Sequence, residues 1–209
     1  MPQLDINEKE RRIATLRQSI ADCQRCALAE TRTQTVPGEG HADADIMFIG
    51  EAPGRNEDLK GKPFVGRAGD IFDQLLASVD LTREQIYLCN ILKCRPPNNR
   101  NPQVGEIQAC VGSLDIQIKV VDPQVIGTLG NFATMYILEK FSVPLRKISE
   151  LAGSVIAVES EFGAKKIVPL FHPAVATYSP SKIDTLIEHF QVFKQFGPLS
   201  AGGTRPEQT

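Results

Sequence analysis

The sequence predicts an α/β fold: a mainly parallel sheet covered by helices on both faces. Two observations predict it. Short unbroken apolar runs, such as Ile46-Met47-Phe48-Ile49 stopping at Gly50, have the composition of strands buried on both sides. These runs alternate with stretches of helical period, and such alternation implies parallel strands joined by right-handed crossovers. In open sheets of this kind ligands bind beyond the carboxyl ends of the strands. The loops after Ile49, from Asn90 onward and after Leu170 are therefore where chemistry is sought.

Residues 5–22 read as a helix. Ile6, Ile13, Leu16 and Ile20 share one face, Lys9, Arg11, Arg12 and Arg17 lie elsewhere, and Asp5 is a suitable N-cap. After the strand at 46–49 comes a Gly/Pro-rich loop over 50–66, then a helix with Ile71, Phe72, Leu75, Leu76 and Val79 on its apolar face. The next strand covers 86–92, and a Pro/Asn-rich loop at 95–102 separates it from a helix over about 103–119. A third strand at 124–129 precedes a helix with Phe132, Met135, Tyr136 and Leu138. Residues 154–158 read as a side strand, turned at Phe162-Gly163 onto a strand at 166–170. The last helix is expected over 182–196, so that 1–196 forms one domain, and the Gly/Pro/polar residues 197–209 read as a disordered tail.

With 209 residues, 42% hydrophobic and 23% charged, the chain can bury its own core without covalent staples. No run of ~18 apolar residues predicts a membrane span. The start, MPQLDINEKERR, is polar and unlike a secretory signal, so a cytoplasmic protein is expected, monomeric by default. A net charge of −2 argues against a coat of cations for nonspecific nucleic-acid binding, although a local basic face remains compatible with it.

Disulfides are disfavoured in the cytosol, so the five cysteines ask for another explanation. Cys23 and Cys26 form a CxxC at a helix end, and Cys94 and Cys110 bracket a Pro-rich loop and the start of a helix. Four thiolates can hold a tetrahedral zinc or a four-iron cluster, and the spacing does not separate the two. The second pair is an unusual spacing for a zinc ribbon, which favours a cluster. Cys89, inside an apolar run, reads as a small core residue.

The first loop, Gly50-Glu51-Ala52-Pro53-Gly54, sets two glycines around a proline, a rigid turn that exposes amides and lets a ligand come close. Glu51 is held there as a possible base or electrostatic stabiliser. Taken alone, the loop is equally an ordinary strand-to-helix connection; it is neither a Walker loop nor GxGxxG. Asn90 can offer one donor and one acceptor to a base edge, or merely cap a turn. His172, after a buried run and locked by Pro173, is the histidine best suited to catalysis, because His41 and His189 read as loop and surface-helix residues.

Together these segments closely resemble the family 4, iron-sulfur uracil-DNA glycosylases. The resemblance rests on GEAPG at 50–54, Glu57-Asp58, GKPFVGRAG at 61–69 and the strand around Asn90. It continues through KCRPPNNR at 93–100, the Cys23/Cys26/Cys94/Cys110 spacing and FHPA at 171–174, covering about residues 20–196. It implies a three-layer α/β/α sandwich with about four parallel strands. It implies hydrolysis of the N-glycosidic bond of deoxyuridine in DNA, and a 4Fe-4S cluster on the four cysteines.

The resemblance also implies roles. Phe64 would stack on the everted base, Asn90 would pair with the uracil edge, and Gly50, Glu51 and Ala52 would line the pocket. His172 would donate to uracil O2, and Glu51 would orient the attacking water. A related branch has aspartate where this chain has Ala52, and a blocking tyrosine where it has Gly54; Glu57 is the candidate wall against thymine. Phosphates would be met by Lys60, Lys62 and Arg67 and by Lys93, Arg95 and Arg100. Pro173, Ala174, Thr177 and Ser179 belong to the segment that would enter the minor groove. Two other readings are a noncatalytic nucleic-acid-binding module and the branch that traps DNA covalently. The latter carries GEQPG and an inserted KRRIH loop, whereas Ala52 and an uninterrupted GRAGDIF stand here.

Overall fold

Along the strand Ile46–Gly50 successive side chains enter opposite cores. Ile46 and Phe48 pack with Phe72, Leu75, Leu76, Leu186 and Phe190, while Met47 and Ile49 pack with Ile13, Leu114, Ile118, Ile137 and Leu138. This period-two division makes the strand the middle of a sandwich. The structure, a computed structural model, describes residues 4–160 and 162–196. The tail expected over 197–209 lies outside the described residues.

In chain order the elements are α1 (Ile6–Ala21), β1 (Glu39–Gly40), β2 (Ile46–Gly50), α2 (Arg55–Lys60), α3 (Arg67–Ala77), β3 (Ile86–Asn90), α4 (Val104–Val121), β4 (Val125–Leu129), α5 (Asn131–Lys140), α6 (Ile148–Leu151), β5 (Ile156–Ser160), β6 (Gly163–Leu170), α7 (Ala174–Tyr178) and α8 (Ile183–Phe190). The sheet has six strands in the order β1-β3-β2-β4-β6-β5. Its centre, β3-β2-β4-β6, is parallel, as expected. The antiparallel edges β1 and β5 complete it. Every residue of β2, β3 and β4 is buried, whereas β5 alternates, as an edge strand with one wet face should. Helices α1, α4 and α5 cover one face, α3 and α8 the other.

Several elements differ from expectation for physical reasons. Lys9, expected on the polar side of α1, occupies the buried face with Ile13, Leu16 and Ile20. It is 1% exposed, and its ammonium donates to Asp43 Oδ1 at 2.7 Å and to Val121 O at 2.8 Å. A long aliphatic stem lets a lysine fill a core position while its charge reaches partners at the edge. Ile6, 37% exposed, lies beyond that core edge.

The loop expected over 50–66 contains α2. Its charged residues show no apolar period, so only its ends betray it: the Glu57 carboxylate receives Gly54 N–H, and Gly61 (φ +67) closes the C-terminus. Helix α8 stops at Phe190, and residues Gln191–Phe196 tighten into a 3-10 helix. At three residues per turn Phe190, Phe193 and Phe196 line up, with ring centroids 5.4 and 5.9 Å apart along the row.

Candidate active site and cysteine centre

Three strand ends meet at one edge of the sheet. Gly50 closes β2 and stands in register with Asn90, which closes β3; His172 follows Leu170, the last residue of β6, by two. The apolar run after Asn90 continues as a loop, not as the strand expected to residue 92. Ile91 N–H donates to Gly50 O at 2.9 Å and Leu92 N–H to Glu51 O at 3.0 Å, so the first two loops are zipped together. Gly130 N–H donates to Leu170 O at 2.8 Å and brings in the end of β4.

Gly50 shows how closely the predicted residues approach. A Cβ there would collide with Asn90 Oδ1 and lie 2.9 Å from Phe64 Cζ. The Phe64 ring in turn stacks near His172, centroids 5.6 Å apart and planes 23° apart. Gly130 (φ +92) gives His172 its space, since a Cβ there would sit 3.2 Å from His172 Cβ. Asn90 at the end of β3, Phe64 and His172, from three separate parts of the chain, thereby line up as a row of neighbours with Phe64 in the middle. Asn90 and Phe64 are nearly buried, at 2% and 6% exposure.

The chemistry of His172 is set by its backbone. Ala174 N–H donates to Nδ1 at 3.1 Å, which needs the lone pair on that nitrogen and leaves the proton on Nε2. Burial lowers the imidazole pKa to about 4, so the ring is neutral at physiological pH. Glu51 is half-buried, and burial raises its pKa above the ordinary carboxylate value.

The sequence profile of the Uracil DNA glycosylase superfamily matches residues 37–196. The type-4 uracil-DNA glycosylase of Archaeoglobus fulgidus is 43% identical over 180 residues, 86% of this chain and 89% of the relative. The chain belongs to the uracil-DNA glycosylase superfamily. The type-4 enzyme of Saccharolobus solfataricus is 43% identical over 84% of this chain and 82% of its own length. That of Thermotoga maritima is 40% identical over 79% and 83% respectively.

As a uracil-DNA glycosylase fold, the chain shows further parts of the site. Glu57 Oε2 accepts Gly54 N–H at 3.1 Å, and Oε1 accepts Val65 N–H at 3.0 Å. A Cβ on Gly54 would lie 2.8 Å from Oε2, so the carboxylate fills space toward which a larger residue 54 would project. Lys60, Lys62, Arg67 and Ser179 are exposed. Arg95 is half-buried and donates to Asn99 Oδ1 at 2.7 Å; Arg100 is forked onto Glu106 at 2.6 and 2.9 Å. Pro173 is buried, and Thr177 Oγ1 donates to Ala174 O at 2.7 Å. Lys93 corrects its expected place on the DNA face. It is 2% exposed, and its ammonium donates to Asn90 O and Gln117 Oε1, both at 2.6 Å.

Cys23, Cys26, Cys94 and Cys110 line one cavity between the end of α1, the loop after β3 and α4, together with Ile20, Leu28 and Leu92. N–H donors point at the sulfurs: Arg25 Nε at Cys23 (3.2 Å), Arg32 Nη1 at Cys94 (3.2 Å) and Lys93 N at Cys110 (3.3 Å). Burial raises the thiol pKa values of Cys94 and Cys110. Among the described residues no three Cys, His, Asp or Glu side chains converge on a single-ion site. Ala52 packs against this cluster, so the first site loop touches the cysteine centre. Cys89 is buried in the main core on β3. No described helix is long and apolar enough to cross a membrane.

Proposed function

We propose that the chain hydrolyses the N-glycosidic bond of deoxyuridine in DNA, releasing uracil and leaving an abasic site, the entry step of base excision repair. One observation carries the mechanism: a neutral His172 whose Nδ1 is occupied, with Nε2–H left as a donor, beside Phe64 and Asn90. The target base must leave the stack, because its glycosidic bond is inaccessible within the duplex. Phe64 then stacks on the everted ring. The Asn90 amide donates to O4 and accepts from N3–H, while Gly50, Glu51 and Ala52 line the pocket. Cytosine presents a donor in place of O4, and a locked amide rejects it.

As the bond from C1′ to N1 breaks, its electron pair goes to the departing uracil. His172 Nε2–H donates to O2, where the negative charge collects, and such a fixed donor contributes about 3 kcal/mol. Glu51 orients the water that attacks C1′ and favours the positive charge developing on the sugar. Glu57, filling the space beside Gly54, is the wall met by the thymine methyl group. Lys60, Lys62, Arg67 and Arg95 meet phosphates. Ala174, Thr177 and Ser179 belong to the segment that faces the minor groove. Tyr178, 87% exposed at the end of α7, is the side chain suited to fill the gap left by the base.

The four cysteines fit a 4Fe-4S cluster: four thiols border one cavity, and N–H donors reach the sulfurs of Cys23, Cys94 and Cys110. Cys23, Cys26, Cys94 and Cys110 would hold it. The cluster would supply structural cross-linking rather than redox chemistry, tying α1 to the loop that begins at Asn90 and to α4. The reading takes 1–196 as one domain working as a cytoplasmic monomer, since one chain provides every residue assigned to the site. The test is excision from oligonucleotides carrying U·G, U·A, T·G or single-stranded U, followed by alkali. Strand breaks at uracil and none at thymine are expected; intact uracil strands with well-folded protein overturn the reading.

A further inference from the structure

Phe64 is held in its orientation by a residue from another part of the chain. Its φ is +51°, in the left-handed region that non-glycine residues seldom occupy. Two successive carbonyls here converge on one cation. Arg83 Nη2 donates to Phe64 O at 2.6 Å and Nη1 to Pro63 O at 3.3 Å. The far end of the next peptide is gripped as well, since Val65 N–H donates to Glu57 Oε1. Gly69 leaves the room for this arrangement, because a Cβ there would overlap the Phe64 carbonyl. Arg83 is itself oriented: Nε donates to Asp73 Oδ1 at 2.6 Å and Nη1 also reaches Glu39 Oε1 at 3.3 Å.

We infer that Arg83 is a positioning residue for base excision: with Glu57 it clamps the peptides around Phe64 and fixes the aromatic platform before DNA arrives. The inference rests on the reading that Phe64 stacks on uracil. A guanidinium suits the task because its planar fork serves two carbonyls and two carboxylates at once, which a lysine does not. Preorganising the platform removes an ordering cost from the moment of binding. Asp73 and Glu39 pair with the guanidinium while its Nη atoms reach the backbone, so the fork is held from both its Nε and Nη sides.

The experiment compares Arg83→Met, Arg83→Lys, Phe64→Ala and the double variant Arg83→Met/Phe64→Ala. It measures single-turnover uracil excision, inhibition by free uracil, affinity for undamaged duplex and the unfolding midpoint. Arg83→Met is expected to slow excision roughly 10- to 100-fold, the scale of a small misplacement. It should weaken uracil inhibition while leaving undamaged-duplex affinity alone, and Arg83→Lys should recover part of the rate. In the Phe64→Ala background it should add less than about twofold, because both changes remove one platform. Additive losses, an unchanged rate in Arg83→Met, or a loss that follows the unfolding midpoint through both Arg83 variants overturns the inference. If Phe64→Ala excises normally, the stacking reading itself fails; if only Phe64→Ala is slow, the role of Arg83 alone fails.

Discussion

The buried ammonium of Lys93 donates to the main-chain carbonyl of Asn90 at 2.6 Å, three residues back at the end of β3. Gln117 Oε1 accepts a second hydrogen bond from it, and Gln117 Nε2 in turn donates to Pro37 O at 2.6 Å and to the Tyr87 hydroxyl at 3.1 Å. The main chain of Asn90, the residue proposed to read the base, therefore stands on a buried polar network. Lys93→Met keeps the stem but leaves two acceptors without their donor, at a cost of about 1–3 kcal/mol each. Urea unfolding should show that loss, and the preference for uracil over cytosine should fall with it. Unchanged stability and unchanged preference would remove Lys93 from both roles.

His172 makes a pH prediction. Its folded pKa of about 4 lies below the ordinary 6.5, so between those values the unfolded chain binds a proton that the folded one does not. Stability therefore falls as pH drops from 6.5 through 4, by at most about 3 kcal/mol, and the penalty is complete below 4. Denaturant titrations at pH 7 and 4.5 should show a wild-type decline that His172→Gln lacks. Excision should show no step near pH 6.5 from His172, because its donor is already in place. Equal pH slopes in the two proteins would contradict the neutral imidazole.

Gly50→Ala tests the packing of the site. Its Cβ would displace the Asn90 amide and press on the Phe64 ring. A shift of about 1 Å in such groups is expected to reduce excision on the order of 100-fold. The φ of Gly50 is not in the left-handed region, so backbone strain is not the cause of the loss. A single-turnover assay beside a thermal melt checks this, and full activity would mean that the approach of Asn90 and Phe64 to Gly50 is not needed.

For the cysteine centre, protein purified without oxygen should be brown and carry iron and inorganic sulfide. Cys94→Ser should bleach it and lower the unfolding midpoint, since Cys94 lies 6% exposed where two loops and α4 meet. Colourless protein with one zinc per chain is the opposing result. Chelation that removes the iron should destabilise the wild type and leave Cys94→Ser unaffected.

Much of the site was legible because its position follows from local pattern. Apolar runs broken by Gly50 and Asn90, and a His172-Pro173 pair after Leu170, mark strand ends, and in a parallel sheet all such ends face one way. The cysteines were legible as a set because a CxxC at a helix end with two later cysteines supplies four candidate thiolate ligands, and the fold brings all four to one cavity. Arg83 was not legible. It sits in a polar segment before β3, and nothing nearby announces that its guanidinium reaches backbone 19 residues earlier. Lys9 and Lys93 were misread for the opposite reason: lysine is overwhelmingly a surface residue, and only a fold that brings acceptors to its tip buries it.

By itself, the sequence determined the alternation of strands and helices, the edge of the sheet where the proposed chemistry lies and the residue types available there, since periodicity and turn chemistry are properties of neighbouring residues. The tertiary structure alone decided how those residues are held: the Nε2–H form of His172, the left-handed turn at Phe64 under Arg83, and the Asn90 carbonyl on Lys93. Those depend on distances between groups brought together by folding, and hydrogen bonds and burial act through space rather than along the chain.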